Sequence, residues 1–524
     1  MSSVVIGLGK TGASCLKYLR RHGVAASATD SRTAPPGLGE LGALASSVVI
    51  RLGGFDLSLL DGASQLVMSP GVSLEEPIVR AARARGLEVL GDIELFARAV
   101  RAPVIGITGT NGKSTVTSLV AAMARAAGRR VLEGGNLGTP ALDLLAEPIP
   151  DLYVLELSSF QLETTDSLGL LAAVVLNVSP DHMDRYASVE DYARAKARIF
   201  AHAGTVVLNA DDARVAAMRG GAAKGGEAGL QGSGAATAAA AGRSGEAGRG
   251  GGDVGGGATA GSVPRVVTFS TQRADADYSL LRAGTKLKLS RHGVDVLDVA
   301  QLKISGLHNA ANALAALALG DAAGLPLAAM QGALVAFPGL PHRSAWVADL
   351  KGVRYVDDSK GTNVGATIAA VDGMQGPLVL IAGGVGKGQD FAPLAAAFRG
   401  KVRHVVLIGR DAPAVQQALA EVCSTERAAS MPEAVAAAAR AARAGDTVLL
   451  SPACASLDMF RDYGERGDAF AAAVLALAGE GAADQGGPAG ETGPAAAAEQ
   501  AGQPGAPGNS GAAGPAGQAP RGSA

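Results

Sequence analysis

Gly106-Ile107-Thr108-Gly109-Thr110-Asn111-Gly112-Lys113-Ser114-Thr115 places one lysine and two hydroxyls at the end of a glycine-rich run. Glycines let a polyphosphate approach the backbone closely, and a helix N-terminus offers unpaired N–H groups. Lys113 brings a mobile charge, and Ser114 or Thr115 an oxygen for Mg²⁺. The chemistry implied is binding of a nucleoside triphosphate. Ile107 stands where the strict pattern has glycine, but the Gly-Lys-Ser core is intact.

A second glycine turn, Gly7-Leu8-Gly9-Lys10-Thr11-Gly12, follows Val4-Val5-Ile6 and precedes a helix to about Arg21 and a strand that ends on Asp30. This is the dinucleotide fingerprint, with its acidic residue near the expected distance. It fits a nicotinamide dinucleotide, another nucleotide or a phosphate-free turn. Because 106–115 already forms a phosphate site, two diphosphates from two different ligands account for both turns better.

Other polar residues fall just after apolar runs. Tyr153-Val154-Leu155 ends on Glu156, Val131 leads to Asn136, and Ala173 to Leu176 ends on Asn177, with Asp181-His182 just beyond. In an open α/β sheet the carboxyl ends of strands face the ligand crevice. Asn136, Glu156 and His182 therefore fall beside the phosphate loop. Each alone could be a paired core group; together they favour Mg²⁺ and phosphate chemistry. Lys196 lies in a helix expected over 189–203, among Arg194 and Arg198, and its spacing alone puts it on a solvated face. Asn309 and Asn312, three apart at a helix start, could cap that helix or read an adenine edge.

The elements that must position these groups alternate strand and helix, which gives an α/β class with mostly parallel sheets. Three domains are expected: a Rossmann-like N-terminal domain over 1–101, a P-loop-type central ATPase domain over 102–337 and a Rossmann-like C-terminal domain over 338–478. Val266 to Val299 reads as a sheet edge or small hairpin layer. A Gly/Ala-rich stretch over 219–262 reads as a disordered insertion and 479–524 as a disordered tail, since both lack large apolar side chains.

Composition narrows the partners. Lys+Arg 46 against Asp+Glu 48 gives a formal charge of −2, so no whole-chain electrostatic case exists for nucleic acid or an anionic membrane. Cys15, Cys423 and Cys454 are far apart, which argues against a disulfide framework or structural zinc and fits a cytoplasmic protein. No targeting segment is visible. The apolar stretch 313–330 is broken by Gly320, Asp321, Gly324 and Pro326, so no membrane span is expected.

Taken together, the motifs resemble those of the Mur ligases of peptidoglycan synthesis. The resemblance covers residues 3 to about 476 except the insertion. It rests on the phosphate loop, Glu156-Leu157-Ser158-Ser159-Phe160-Gln161-Leu162, Asn177 to Asp184 followed by Lys196, and His308-Asn309-Ala310-Ala311-Asn312. Asp358-Ser359-Lys360-Gly361-Thr362-Asn363 and Ser451-Pro452-Ala453-Cys454-Ala455-Ser456-Leu457-Asp458 point to its D-glutamate-adding branch.

The resemblance implies a monomeric, cytoplasmic enzyme that joins D-glutamate to UDP-N-acetylmuramoyl-L-alanine with ATP, through an acyl phosphate. Gly109, Thr110, Asn111, Gly112, Lys113, Ser114 and Thr115 would cradle the ATP phosphates, and Asn312, Arg343 and Asp358 would hold adenine and ribose. Ser114 and Glu156 would hold one Mg²⁺. His182 and Lys196 would hold a second, with Lys196 carbamylated into a metal-binding carboxylate, which reverses the reading from spacing. Lys360 would meet the transferred phosphate and act with Lys113, His182 and Lys196 in catalysis. Thr11, Asp30, Ser31, Arg32, Ser69 and Gly71 would hold the UDP end of the sugar substrate, and Asn136 and His182 its acceptor end. Thr362, Lys387, Ser456 and Tyr463 would meet D-glutamate. Val385 and Tyr463 depart from the residues familiar at those places. The alternatives are another Mur-type or folylpolyglutamate-type amide ligase, an NAD-dependent oxidoreductase built on Gly7 to Asp30, and a noncatalytic nucleotide-binding scaffold.

Overall fold

The computed structural model describes residues 2–219 and 263–483, apart from 137, 305 and 375. All but the first residues of the expected insertion and tail lie outside this set. Three sheets carry the chain up to residue 478, each with helices on its faces.

The first sheet has five parallel strands in the order Val49–Leu52, Ala25–Asp30, Ser2–Ile6, Gln65–Met68, Glu88–Gly91. Val4, Val5 and Ile6 are wholly buried because this central strand is covered on both faces. The helix Lys10–Arg21 packs directly on the glycine turn. A Cβ on Gly12 would stand 1.9 Å from the Gly7 carbonyl oxygen, so only glycine allows that approach. The 3₁₀ segment Pro36–Ser47 and the strand Val49–Leu52 were not anticipated from the sequence; Val49 and Leu52 on this edge strand are exposed.

The second sheet has nine strands. Val104–Thr108 is buried at every residue and lies between Leu152–Glu156 and Leu170–Val175. Register sets the site: Ile107 pairs with Glu156, Thr108 with Val175, and Gly135 with Glu156. The phosphate loop, Glu156 and the Gly135-Asn136 turn thus leave one edge of the sheet at the same level. Tyr278–Ala283, Lys286–Arg291 and Val294–Asp298 form the expected hairpin layer at the far edge. The helix expected over 189–203 stops at Ala197, passes through the 3₁₀ turn Arg198–Phe200 and gives way to the strand Ala203–Asn209, where Thr205-Val206-Val207 favours extended backbone.

The third sheet has six strands, with Leu378–Gly383 and Thr447–Leu450 in its wholly buried centre and Ala345–Leu350 antiparallel at one edge. Its loops 358–363, 384–389 and 451–458 leave the strands' carboxyl ends. All three cysteines are free thiols. Among the described residues no helix is long and apolar enough to cross a membrane.

Candidate active site

Gly112 caps the helix Lys113–Ala126 at φ +85°, which turns the loop sharply into the first helical turn. Lys113 Nζ donates to the Gly109 and Thr110 carbonyl oxygens (2.9 and 2.8 Å), so the lysine is folded back over its own loop. Burial pulls its pKa down, and Glu156 and Asp181 oppose that pull.

Ser114 Oγ donates to Glu156 Oε2 at 2.6 Å, and Asn136 Nδ2 donates to Glu156 Oε1 at 2.7 Å. Burial raises the Glu156 pKa, but Lys113 and these hydrogen bonds outweigh it and hold the carboxyl below its usual range. Arg343 Nη2 reaches in from the third sheet's side and donates to Ser114 Oγ at 2.7 Å. Among the described residues no group of three His, Cys, Asp or Glu side chains is placed to hold a metal ion. The donors present, one ionised carboxylate and one hydroxyl beside a phosphate loop, are the hard oxygen set that suits Mg²⁺ with open positions for phosphate and water.

Lys196 is 1% exposed, which corrects the solvated-face reading from spacing. Its Nζ donates to the Gly109 carbonyl oxygen at 2.9 Å and lies 4.4 Å from the centre of the Tyr192 ring. Burial, with Lys113 nearby, holds its pKa well below the usual lysine value. His182 sits at φ +58°, edge-on to Phe160 at 5.0 Å. Burial lowers its pKa to about 4, leaving a neutral imidazole. Asp181 Oδ1 accepts from Lys387 Nζ at 3.0 Å, so a lysine from the third sheet stands beside His182.

A cleft of about 480 Å³ runs from the phosphate loop between the second and third sheets. Asn111, Gly112, Thr115, Asn312, Arg343, Asp358 and Lys360 all line it. Burial pushes the Asp358 carboxyl up to about 7, although Ser451 Oγ donates to it at 2.8 Å. Burial, with Arg343 and Lys113 nearby, brings Lys360 down to about 8. Its Nζ lies 3.9 Å from the centre of the Tyr463 ring.

Three domain profiles match the chain in order: the MurD-like N-terminal domain of Mur ligases over 1–91, the Mur ligase middle domain over 107–242, and the Mur ligase glutamate ligase domain over 342–454. The UDP-N-acetylmuramoylalanine–D-glutamate ligase of Nitrosococcus oceani is 52% identical over 475 residues, 90% of this chain and 96% of that one. The chain belongs to the Mur ligase family. The same-named ligase of Methylococcus capsulatus is 48% identical over 91% of this chain and 95% of its own. A pseudomurein peptide ligase type C from Methanothermus fervidus shares the fold, with a TM-score of 0.54 at 18% identity over 91% of this chain and 99% of that one. As a Mur ligase the chain is an ATP-dependent enzyme of a family that uses Mg²⁺, and the dehydrogenase and scaffold readings are set aside.

The four residues expected at the amino-acid pocket of this Mur ligase come from loops that the structure ties together. Val385 and Ala455 exchange backbone hydrogen bonds (2.8 and 2.9 Å), which brings the Lys387 loop beside Ser456. Ser359 Oγ donates to the Tyr463 carbonyl oxygen at 2.7 Å, and the Ala453 N–H to the Gly361 carbonyl oxygen at 2.8 Å, next to Thr362. Arg466 locks this junction. Wholly buried, it donates to Ser359 Oγ (3.0 Å), the Ser359 carbonyl (2.7 Å) and the Cys454 carbonyl (3.0 Å).

At the first sheet, Asp30 is 1% exposed and accepts from Leu8 N (2.5 Å), from the Arg32 backbone N–H (2.8 Å) and twice from the Arg32 guanidinium (2.8 and 2.7 Å). Thr11 is half-buried, Ser31 and Gly71 are exposed, and Ser69 Oγ donates to the Gly7 carbonyl oxygen at 2.6 Å. Arg185 links this region to His182: it donates to the Gly71 and Val72 carbonyls and lies 4.5 Å over Phe160. Sequence reasoning passed over Asp181, Arg185, Tyr192 and Arg466. The Asp181-His182 pair at a strand end was a usable signal for Asp181; Arg466, inside an alanine-rich helix, offered none.

Proposed function

We propose that this Mur ligase joins the amine of D-glutamate to the lactyl-L-alanine carboxylate of UDP-N-acetylmuramoyl-L-alanine, with ATP converted to ADP and phosphate. The observation that carries this reading is a cleft lined by the phosphate loop, Arg343, Asp358 and Lys360, with Lys387 bonded to Asp181 beside His182, in a chain 52% identical to a ligase of that name.

A carboxylate resists attack by an amine because it would have to expel oxide. Its oxygen therefore attacks the γ-phosphorus of ATP, the bond to the β-phosphate oxygen breaks, and ADP leaves. The amine then attacks the acyl carbon, the C–O bond to phosphate breaks, phosphate departs, and the nitrogen loses a proton. Arg343 and Lys360 line the cleft and Lys113 stands near both, which gathers positive charge where negative charge moves from γ- to β-oxygens. Lys113 releases its two carbonyl acceptors to reach the phosphates. His182, uncharged above pH about 4, keeps a ring lone pair available.

Mg²⁺ held by Ser114 and Glu156 would neutralise phosphate charge and polarise the γ-phosphoryl group. We assign a second ion to His182 and to Lys196 as its carbamate; a buried lysine with a lowered pKa, ion-paired to no carboxylate among the described residues, suits reaction with carbon dioxide. Thr11, Ser31, Arg32, Ser69 and Gly71 take the UDP end, with Asp30 fixing the turn through Leu8 and Arg32. Thr362, Lys387, Ser456 and Tyr463 take the amino acid. The domains are 1–101, 102–337 and 338–478, and the enzyme acts as a cytoplasmic monomer.

The test is phosphate release by the purified full-length protein with ATP, Mg²⁺ and UDP-N-acetylmuramoyl-L-alanine, comparing D-glutamate, L-glutamate, L-lysine and no amino acid. Release that needs the D-isomer, with a product heavier by one glutamyl residue, is expected. Release with a different amino acid would move the branch, and no release in any mixture would overturn the proposal.

A further inference from the structure

We propose that Asn363 is a positioning residue that couples occupancy of the phosphate loop to the amino-acid pocket, by joining Asn111 to the Asp181–Lys387 pair. The identity of the amino acid rests on the function proposed above.

Asn363 is 2% exposed and caps the helix Val364–Gly373, its Oδ1 accepting from Ala366 N at 2.8 Å. Its Nδ2 donates to Asn111 Oδ1 at 3.1 Å and to Asp181 Oδ2 at 3.2 Å. Asn111 Nδ2 donates back to Asn363 Oδ1 at 3.3 Å. Both protons and both acceptor sites of the Asn363 amide are therefore in use. A helix cap needs only one of these bonds; the other three cross to a different sheet.

Each end of this run reaches a substrate-facing group. Asn111 belongs to the phosphate loop, where Asn177 clamps its backbone: Asn111 N donates to Asn177 Oδ1 at 2.8 Å, and Asn177 Nδ2 donates to the Asn111 carbonyl at 3.1 Å. Asn111 is therefore held at its backbone by Asn177 and at its side chain by Asn363, so the loop and Asn363 are tied through one residue. At the other end, Asp181 Oδ1 holds Lys387 Nζ at 3.0 Å, and Lys387 sits at φ +53°, a conformation that a non-glycine residue keeps only when its surroundings impose it. Thr362 directly precedes the cap. Lys113 must leave the Gly109 and Thr110 carbonyls to engage phosphate, and Thr110 directly precedes Asn111, so filling the loop changes the setting of Asn111.

The test uses full-length wild type, Asn363→Ser, Asn111→Ala and the double variant. Serine keeps the capping oxygen and removes both crossing donations. The dissociation constant of β,γ-imido-ATP, with Mg²⁺ and UDP-N-acetylmuramoyl-L-alanine present, is measured with and without saturating D-glutamate. Wild type should bind the nucleotide roughly tenfold tighter with the amino acid, within the usual range of coupling between sites. Each single variant should bring that ratio below about twofold, and the double variant should lose no more, because both remove one shared contact. The KM for D-glutamate should rise more than kcat falls. A tenfold ratio preserved in Asn363→Ser, or losses that multiply in the double variant, would overturn the proposal. If Asn363→Ser melts early, Asn111→Ala breaks the same contact from its opposite side, and a tenfold ratio kept there overturns the proposal equally. Wild type that needs D-glutamate for phosphate release yet shows a ratio of one overturns the coupling alone; wild type with no D-glutamate-dependent release overturns the function and the coupling together.

Discussion

Arg343 donates to Ser114 Oγ at 2.7 Å across 229 positions of sequence, so the hydroxyl that begins the phosphate-loop helix is shared between Glu156 and a guanidinium from the far side of the cleft. Arg343→Lys should therefore raise the KM for ATP while the protein stays folded, because an ammonium lacks the planar fork that reaches Ser114 and the cleft together. Loss of a hydrogen bond to a charged group, about 1.5–3 kcal/mol, corresponds to about 10- to 100-fold in kcat/KM for ATP. Steady-state kinetics at fixed D-glutamate measures it, and an unchanged value would detach Arg343 from the nucleotide.

Gly112→Ala is expected to damage the same substrate's site by a different route. The new Cβ would lie 2.4 Å from Asn312 Oδ1, on a residue whose φ of +85° already disfavours a side chain. Strain of about 1–3 kcal/mol and displacement of Asn312 should lower ATP affinity at least about tenfold. Isothermal titration with ADP separates this from any change at the first sheet, which should bind UDP as wild type does.

Lys196 should carry carbon dioxide. Full-length protein equilibrated with ¹³C-bicarbonate should give a carbamate carbon resonance that is absent from Lys196→Arg, since the arginine cannot form the adduct. A wild-type spectrum without that resonance would remove the second metal site as proposed.

Asp92 makes stability depend on pH. It is buried between the first and second sheets and accepts from Gln161 Nε2 at 2.9 Å, while its Oδ1 has no hydrogen-bond partner among the described residues. Burial raises its pKa from 3.8 to about 6. The folded state thus holds a proton that the unfolded chain has released between about pH 4 and 6, so stability falls as pH rises through that window. The ionised group costs up to about 3 kcal/mol at neutral pH. Asp92→Asn should recover part of this and flatten the urea-unfolding midpoint across the window; a midpoint that falls equally steeply in the variant would exclude Asp92 as the cause.

By itself the sequence determined that this is an α/β protein with two glycine-turn sites, and it marked Lys113, Ser114, Glu156, Asn136 and His182 as neighbours. It could do so because each lies beside the end of a buried strand, and parallel strands deliver their carboxyl ends to one edge: Ile107 opposite Glu156, and Glu156 opposite Gly135. Local pattern carries that much, since strand period and turn chemistry are short-range. Only the tertiary structure decided which side of a helix was covered, and so buried Lys196 where spacing left it in water. It alone brought Asn363 to Asn111 across 252 residues and set Arg466 against Ser359 and Cys454. Those contacts depend on the order of strands in three sheets and on how the third meets the second, which no window of sequence encodes.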